Sequence, residues 1–256
     1  MNTKKFDKNN YICNTNEKIG VYLIHGFSST TYELKMLFQF LSNQKYYVVA
    51  KNLPGHGTTI DDCNRQKFHD WLKFSEVELA KLASQVDQLF IIGGSMGGVI
   101  ALYLASIFPV NGVIVGGSVF QFKKPFITYI GTLLCKIMKY RDKKKMFPKD
   151  IRDTIEFYGY NQYPLIALRE FRKMNKFVKK KIKGMNAPIL IIHSNNDRTS
   201  VKENINIIKN NISSKNQKVL IVEQAHHNMF DANPDQQLIF QNIHNFIISI
   251  LNVKSK

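Results

Sequence analysis

Residues 89–105 read Leu-Phe-Ile-Ile-Gly-Gly-Ser-Met-Gly-Gly-Val-Ile-Ala-Leu-Tyr-Leu-Ala. The four opening apolar residues suit a buried strand. Residues 99–107 suit a helix, and Pro109 lies just past its end. Between the two, Gly93-Gly94-Ser95-Met96-Gly97 has the spacing G-x-S-x-G of a nucleophile elbow. Such a turn forces the serine into an unusual backbone conformation and leaves its hydroxyl standing clear at the edge of the sheet. Side chains two residues to either side would strike the backbone. Glycine at 93 and 97 removes that collision.

The same run could be read as a membrane span, because no charged residue occurs between Asp87 and Lys123 and residues 89–108 are long enough to cross a bilayer. Two Gly-Gly pairs and a serine break it where a strand would turn into a helix. Central parallel strands and their helices are expected to be nearly wholly apolar in any case. The strand–turn–helix reading is therefore the stronger one.

Working outward, further strands are expected at 21–25, 46–50, 112–115, 188–193 and 218–222, with a short edge strand at 11–13. Helices are expected at 32–41, 67–86, 201–212 and 236–251. Strands and helices thus alternate, which means a mostly parallel sheet covered by helices on both faces, with a site at the carboxyl ends of the strands. Residues 118–184 break the alternation. Their aromatic and aliphatic residues, Phe126, Tyr129, Leu133, Phe171 and Phe177 among them, fit several short helices and no clear strand. This segment leaves after one sheet strand and returns before the next. It is expected to form a small helical cap, its apolar side chains lining a pocket and its lysines facing outward. Residues 1–117 and 185–256 would form the core.

The chain is long enough for one domain with such an insertion. Its formal net charge is +17, and residues 118–184 alone hold 18 Lys and Arg against 5 Asp and Glu. That charge could attract an anionic lipid surface or an acidic partner. The plainer reading is a solvated face. No nucleic-acid motif accompanies it. The three cysteines, Cys13, Cys63 and Cys135, show no metal-ligand spacing and read as free thiols. With a polar start to the chain and no secretory signal, they point to a cytoplasmic protein.

A serine hydroxyl is a poor nucleophile without a base, and a histidine base needs an acceptor that fixes its tautomer. In sheets of this kind the order along the chain is Ser, Asp, His. Asp197 follows the strand ending at His193, and His226 and His227 follow the strand ending at Val222. The oxyanion of an acyl-transfer step needs preset donors. Met96 N–H, at the start of a helix, is one candidate, and Phe27 N–H in the loop His25-Gly26-Phe27-Ser28 is the other. His25 and His56 read as loop anchors. His69 and His193 carry no special signal. Ser118 lacks the following glycine of an elbow and reads as the entry to the cap.

Leu23-Ile24-His25-Gly26-Phe27, Gly55-His56-Gly57, Asp70-Trp71, Gly93 to Gly98, Pro188 to Asp197 and Glu223 to His227 occur in an order that resembles the α/β-hydrolases. Within that fold the chain is similar to compact bacterial carboxylesterases of the monoacylglycerol-lipase-like group. The resemblance implies an eight-stranded sheet or a reduced version of it. It implies Ser95, Asp197 and His227 as catalytic residues, with His226 at the place of the family's usual glycine, so that the choice between the two histidines stays open. It implies a carboxylesterase acting on short- to medium-chain esters, monoacylglycerols included, with no metal and no organic cofactor. The alternatives are a lysophospholipase or thioesterase, and a catalytically silent binding module.

Overall fold

A computed structural model describes residues 4–146 and 156–254, so part of the 118–184 segment, residues 147–155, lies outside the described residues. Among the described residues the main sheet has seven strands: β1 (Tyr11–Cys13), β2 (Ile19–Ile24), β3 (Tyr47–Ala50), β4 (Gln88–Gly94), β5 (Gly112–Gly116), β8 (Ile189–Ser194) and β9 (Gln217–Val222). Their order across the sheet is β1-β3-β2-β4-β5-β8-β9. Only β1 runs antiparallel. This is the reduced form of the eight-stranded arrangement.

Alternation along each strand builds two cores. Tyr22, Ile24, Ile91, Val113, Val115 and Ile191 face α3 (Phe68–Ala83), α4 (Met96–Ala105) and α6 (Leu165–Lys181). Their neighbours Val21, Leu23, Phe90, Ile92 and Ile114 face α1 (Lys35–Asn43) and α8 (Gln236–Lys254). A period of two thus gives each strand one side chain for each helical layer. Helix α4 is buried on all sides except at Tyr103, which is why residues 96–105 carry no polar face. No helix among the described residues is long and apolar enough to cross a membrane.

The chain moves from β2 out to β3 and then back across to β4, so the order reverses between β2 and β4. That crevice, at the carboxyl ends of the strands, is where such sheets build their sites.

Several elements differ from expectation. The helix expected over 32–41 begins as a tight 3-10 turn, Thr31–Leu34, before α1 starts. The loop after β3 contains an unforeseen helix, α2 (Ile60–Arg65), capped by the Thr59 side chain accepting the Asp62 N–H at 3.1 Å. The helix expected over 201–212 is only α7 (Glu203–Lys209).

The segment between β5 and β8 holds α5 (Pro125–Leu133) and the long α6, and also a two-stranded ribbon of β6 (Tyr140–Asp142) and β7 (Gln162–Pro164) where no strand was expected. Three-residue strands rich in charge and ending in proline show no alternation to read. Nor do the apolar residues all point inward. Phe126, Leu133 and Ile137 are 72%, 60% and 88% exposed, whereas Leu165 and Phe171 of α6 are buried. Among the lysines, Lys143 faces inward and is only 4% exposed.

Candidate active site

Ser95 sits between β4 and α4 with φ 53° and ψ −115°, in the positive-φ region that non-glycine residues seldom occupy. The glycines beside it are obligatory. A Cβ on Gly93 would lie 2.2 Å from the Gly97 carbonyl oxygen, and one on Gly97 would lie 2.1 Å from the Ile24 carbonyl oxygen. The Ser95 N–H donates to the Gly116 carbonyl at 2.8 Å, which ties the turn to β5.

His227 stands on the loop after β9. Its Nε2 lies 2.9 Å from Ser95 Oγ and its Nδ1 lies 2.8 Å from Asp197 Oδ2. With Nδ1–H donating to the carboxylate, Nε2 is free to accept the serine proton. The remaining Asp197 oxygen, Oδ1, accepts the N–H groups of Thr199 and Ser200 at 2.7 and 2.9 Å. Burial alone would raise the Asp197 carboxyl. The facing His227 and these backbone donors outweigh it and hold the carboxyl below its ordinary value. For His227 burial disfavours the charged ring. Asp197 outweighs that too, and the ring titrates above the usual histidine value.

The loops that carry these groups are pinned by their neighbours. Asp235 Oδ2 accepts the N–H groups of Gln224 and Ala225 at 2.7 and 2.8 Å, which fixes the entry to the His227 loop. Ser194 Oγ donates to the Ala225 carbonyl. His226, one residue earlier, is exposed, with its Nδ1 3.2 Å from Asn196 Nδ2. The structure therefore brings Ser95, His227 and Asp197 into one hydrogen-bonded line and leaves His226 outside it.

Met96 opens α4, so its N–H has no carbonyl within the helix to bond and lies next to the Ser95 hydroxyl in sequence. Phe27 lies in the loop after β2, half-buried, with its ring stacked on Phe171 of α6 at 5.6 Å between centroids.

Two histidines hold that loop. The Leu53 N–H donates to His25 Nε2 at 3.1 Å, and the other ring nitrogen, Nδ1, lies 2.8 Å from the Gly26 carbonyl. The Ser28 N–H donates to His56 Nε2 at 3.1 Å, and His56 Nδ1 lies 3.2 Å from the Pro54 carbonyl. Each ring thus donates from Nδ1 and accepts at Nε2, which only a neutral imidazole can do. Burial pushes His25 down to about 4, and burial with the neighbouring His25 pushes His56 well below the ordinary value. Trp71 Nε1–H adds a third tie, to the Pro54 carbonyl at 3.0 Å.

The segment between β5 and β8 also touches this loop. The Tyr160 N–H donates to the Ser28 carbonyl at 3.1 Å, and Lys143 Nζ reaches the same oxygen at 3.4 Å.

Two groups beside the site were not foreseen. Glu33 lies in a stretch that reads as the first turn of an ordinary surface helix, where a glutamate is normally solvated. Lys143 is hidden in the run Lys143-Lys144-Lys145. Neither carries a local signal that separates it from its solvated neighbours. Among the described residues no group of His, Cys, Asp and Glu is arranged to hold a metal ion.

Residues 15–234 match the profile of the serine aminopeptidase S33 family. The chain is 27% identical over 228 residues to a thermostable monoacylglycerol lipase of Bacillus sp. strain H-257, covering 88% of this chain and 89% of the relative. It is 22% identical over 228 residues to a carboxylesterase of Bacillus subtilis strain 168, covering 89% and 91%. Among solved structures, a metagenome-derived lipolytic enzyme superposes with a TM-score of 0.85 at 22% identity, covering 97% of this chain and all of that one. The fold is that of the α/β-hydrolases.

Proposed function

The chain belongs to the serine aminopeptidase S33 family and is an esterase-like serine hydrolase, and from that premise we propose that Ser95, His227 and Asp197 are a catalytic triad. In this reading the enzyme cleaves short- to medium-chain carboxylic esters, monoacylglycerols among them. The observation that carries the reading is the continuous line from Ser95 Oγ through both nitrogens of His227 to Asp197.

Ser95 Oγ attacks the ester carbonyl while His227 Nε2 takes its proton. The oxyanion is received by the N–H groups of Phe27 and Met96. As the tetrahedral adduct collapses, His227 returns the proton to the departing alcohol, leaving an acyl group on Ser95. Water then attacks that acyl group, again losing its proton to His227, and the acid leaves. Asp197 keeps the ring in one tautomer and offsets its charge. Every proton and bond in this cycle is accounted for by protein groups and water, so the proposal calls for no cofactor. Three free thiols suit a reducing, cytoplasmic setting.

The family description names an aminopeptidase, whereas the two Bacillus relatives are ester hydrolases. A panel of p-nitrophenyl esters of rising acyl length, run beside an aminoacyl p-nitroanilide, separates the two. The proposal expects ester turnover that peaks at short to medium chains and vanishes in Ser95→Ala. Preference for the anilide would overturn it.

A second reading has its own support. Residues 118–184 carry 18 basic against 5 acidic residues, and α5 with the turn after it exposes Phe126, Leu133 and Ile137. Apolar side chains set in a basic surface suit an anionic lipid interface and a lysophospholipase-type or other anionic substrate. Salt is the discriminator, since screening acts over about 10 Å at 0.1 M. Hydrolysis of anionic vesicle-bound substrate should weaken with salt while a small neutral ester is hardly affected. An equal response would leave the segment as a solvated face.

A further inference from the structure

One buried carboxylate lies against the elbow and has no part in the cycle above. Glu33 belongs to the 3-10 turn Thr31–Leu34 and is 4% exposed. Its Oε2 accepts the Gly26 N–H at 3.3 Å. The group fills space that two glycines leave open. A Cβ on Gly26 would stand 3.3 Å from both carboxylate oxygens and 3.2 Å from Ser95 Cβ, and a Cβ on Gly94 would stand 2.9 Å from Oε1. Glu33 is therefore wedged between the residue before the nucleophile and the residue before Phe27. Ser95, against which the carboxylate is packed through Gly26, has its Oγ 2.9 Å from His227 Nε2, so a negative charge on Glu33 favours the charged ring.

Simple anchoring does not account for this choice. A glutamine would accept the Gly26 N–H equally well. Burying an ionisable carboxyl costs several kcal/mol unless something nearby repays it.

We propose that Glu33 is a positioning residue of the esterase site, which holds the Gly26 peptide so that the Phe27 N–H faces the elbow and sets, together with Asp197, how firmly His227 keeps its proton. The proposal rests on His227 being the base. No bond is made to Glu33 in the cycle. Its part is to stabilise the imidazolium formed when Ser95 gives up its proton, and that stabilisation also delays deprotonation of the resting ring.

Among the described residues, Glu33 interacts electrostatically with His227, Asp231, Lys143 and Tyr158, and His227 with Asp197 and His193. Tyr158 OH is itself bonded to Asp231 Oδ2 at 2.5 Å, and Lys143 Nζ to the Ser28 carbonyl at 3.4 Å. Burial raises the Glu33 carboxyl, with the facing His227 pulling the other way.

The test compares wild type, Glu33→Gln and Glu33→Asp. Each is followed by kcat/KM against pH on p-nitrophenyl acetate and by carbon-13 NMR titration of the His227 ring, assigned by its loss in His227→Ala. Removing a facing negative charge makes the ring easier to deprotonate. Glu33→Gln should therefore move both the acid limb and the ring titration to lower pH, by roughly half a unit or more. Its plateau activity should fall by less than about tenfold. Glu33→Asp should stay nearer wild type.

An acid limb and ring titration unmoved in Glu33→Gln would overturn the proposal, whatever happens to the plateau. Full activity in His227→Ala would instead overturn the choice of base. Should Glu33→Gln not fold, carbon-13 labelling of the glutamate carboxyls reads the coupling in wild type. Glu33 should respond to the titration of His227 as well as to its own, and a single independent step would contradict the coupling.

Discussion

The turn at Ser95 and the helix α5 differ in how much room the backbone leaves for a side chain. At Gly97 an added Cβ would come within 2.1 Å of a carbonyl oxygen, while at Gly131, in the last turn of α5, the nearest atom would be a Leu165 methyl at 3.8 Å. Ser95 is held at positive φ by its N–H bond to Gly116 of β5 and by two glycines, whereas Ile137, just past α5, is 88% exposed. Chemistry needs the first kind of place, because a nucleophile misplaced by an ångström loses its base. A surface that meets substrates of varied shape can use the second.

The largest contrast should appear in turnover. In the proposed triad, His227→Ala and Asp197→Asn should each lower kcat/KM on a neutral ester by about 10⁴, since the members of such a triad act as one unit. His226→Ala, which alters an exposed ring, should stay within a few-fold of wild type. If the two histidine variants exchange these outcomes, the base is one residue away from the position argued above.

Stability should show the same contrast on a smaller scale. Gly97→Ala should cost about 3 kcal/mol through backbone collision. Gly131→Ala, in an open helical position, should gain up to about 1 kcal/mol by helix propensity. Thermal melts read both, at about 2–4 °C per kcal/mol for a chain of this size. Equal losses at the two positions would erase the distinction between the regions.

Activity against pH gives a finer comparison. In the proposed cycle the base must be neutral, and burial, which lowers the His227 ring, is outweighed by Asp197, so that it titrates above the ordinary histidine value. Activity should therefore rise with pH through a midpoint above that value, and Asp197→Asn should move the midpoint of the remaining activity downward. A midpoint at or below the ordinary histidine value would show that the two groups are not coupled. The smallest effect belongs to the exposed face. Phe126→Ser with Ile137→Ser should change stability by less than about 0.5 kcal/mol and leave a neutral ester unaffected. Binding to anionic vesicles should still drop.

The same contrast explains what could be read in the chain before its structure. The strand–turn–helix around Ser95 was legible because steric need left few residue types able to occupy it. The strand ends that carry Asp197 and His227 were legible from apolar runs that stop abruptly. Between 118 and 184 the constraint is weak. The ribbon of Tyr140–Asp142 and Gln162–Pro164 has too few residues to show alternation, and the exposed apolar face of α5 looks like a core face in sequence. Glu33 was missed for another reason. Its inward turn depends on the spaces left by Gly26 and Gly94, and Gly94 lies 61 residues further along the chain. Nothing local to residue 33 announces that.

The most direct test of the central claim is covalent labelling. Wild-type protein treated with a fluorophosphonate and measured by intact mass should gain one phosphonyl group, mapped by peptide sequencing to Ser95. Ser95→Ala, shown folded by its thermal melt, should gain none. His227→Ala should label far more slowly than wild type. A folded Ser95→Ala protein that still takes up the probe at the wild-type rate would contradict the account.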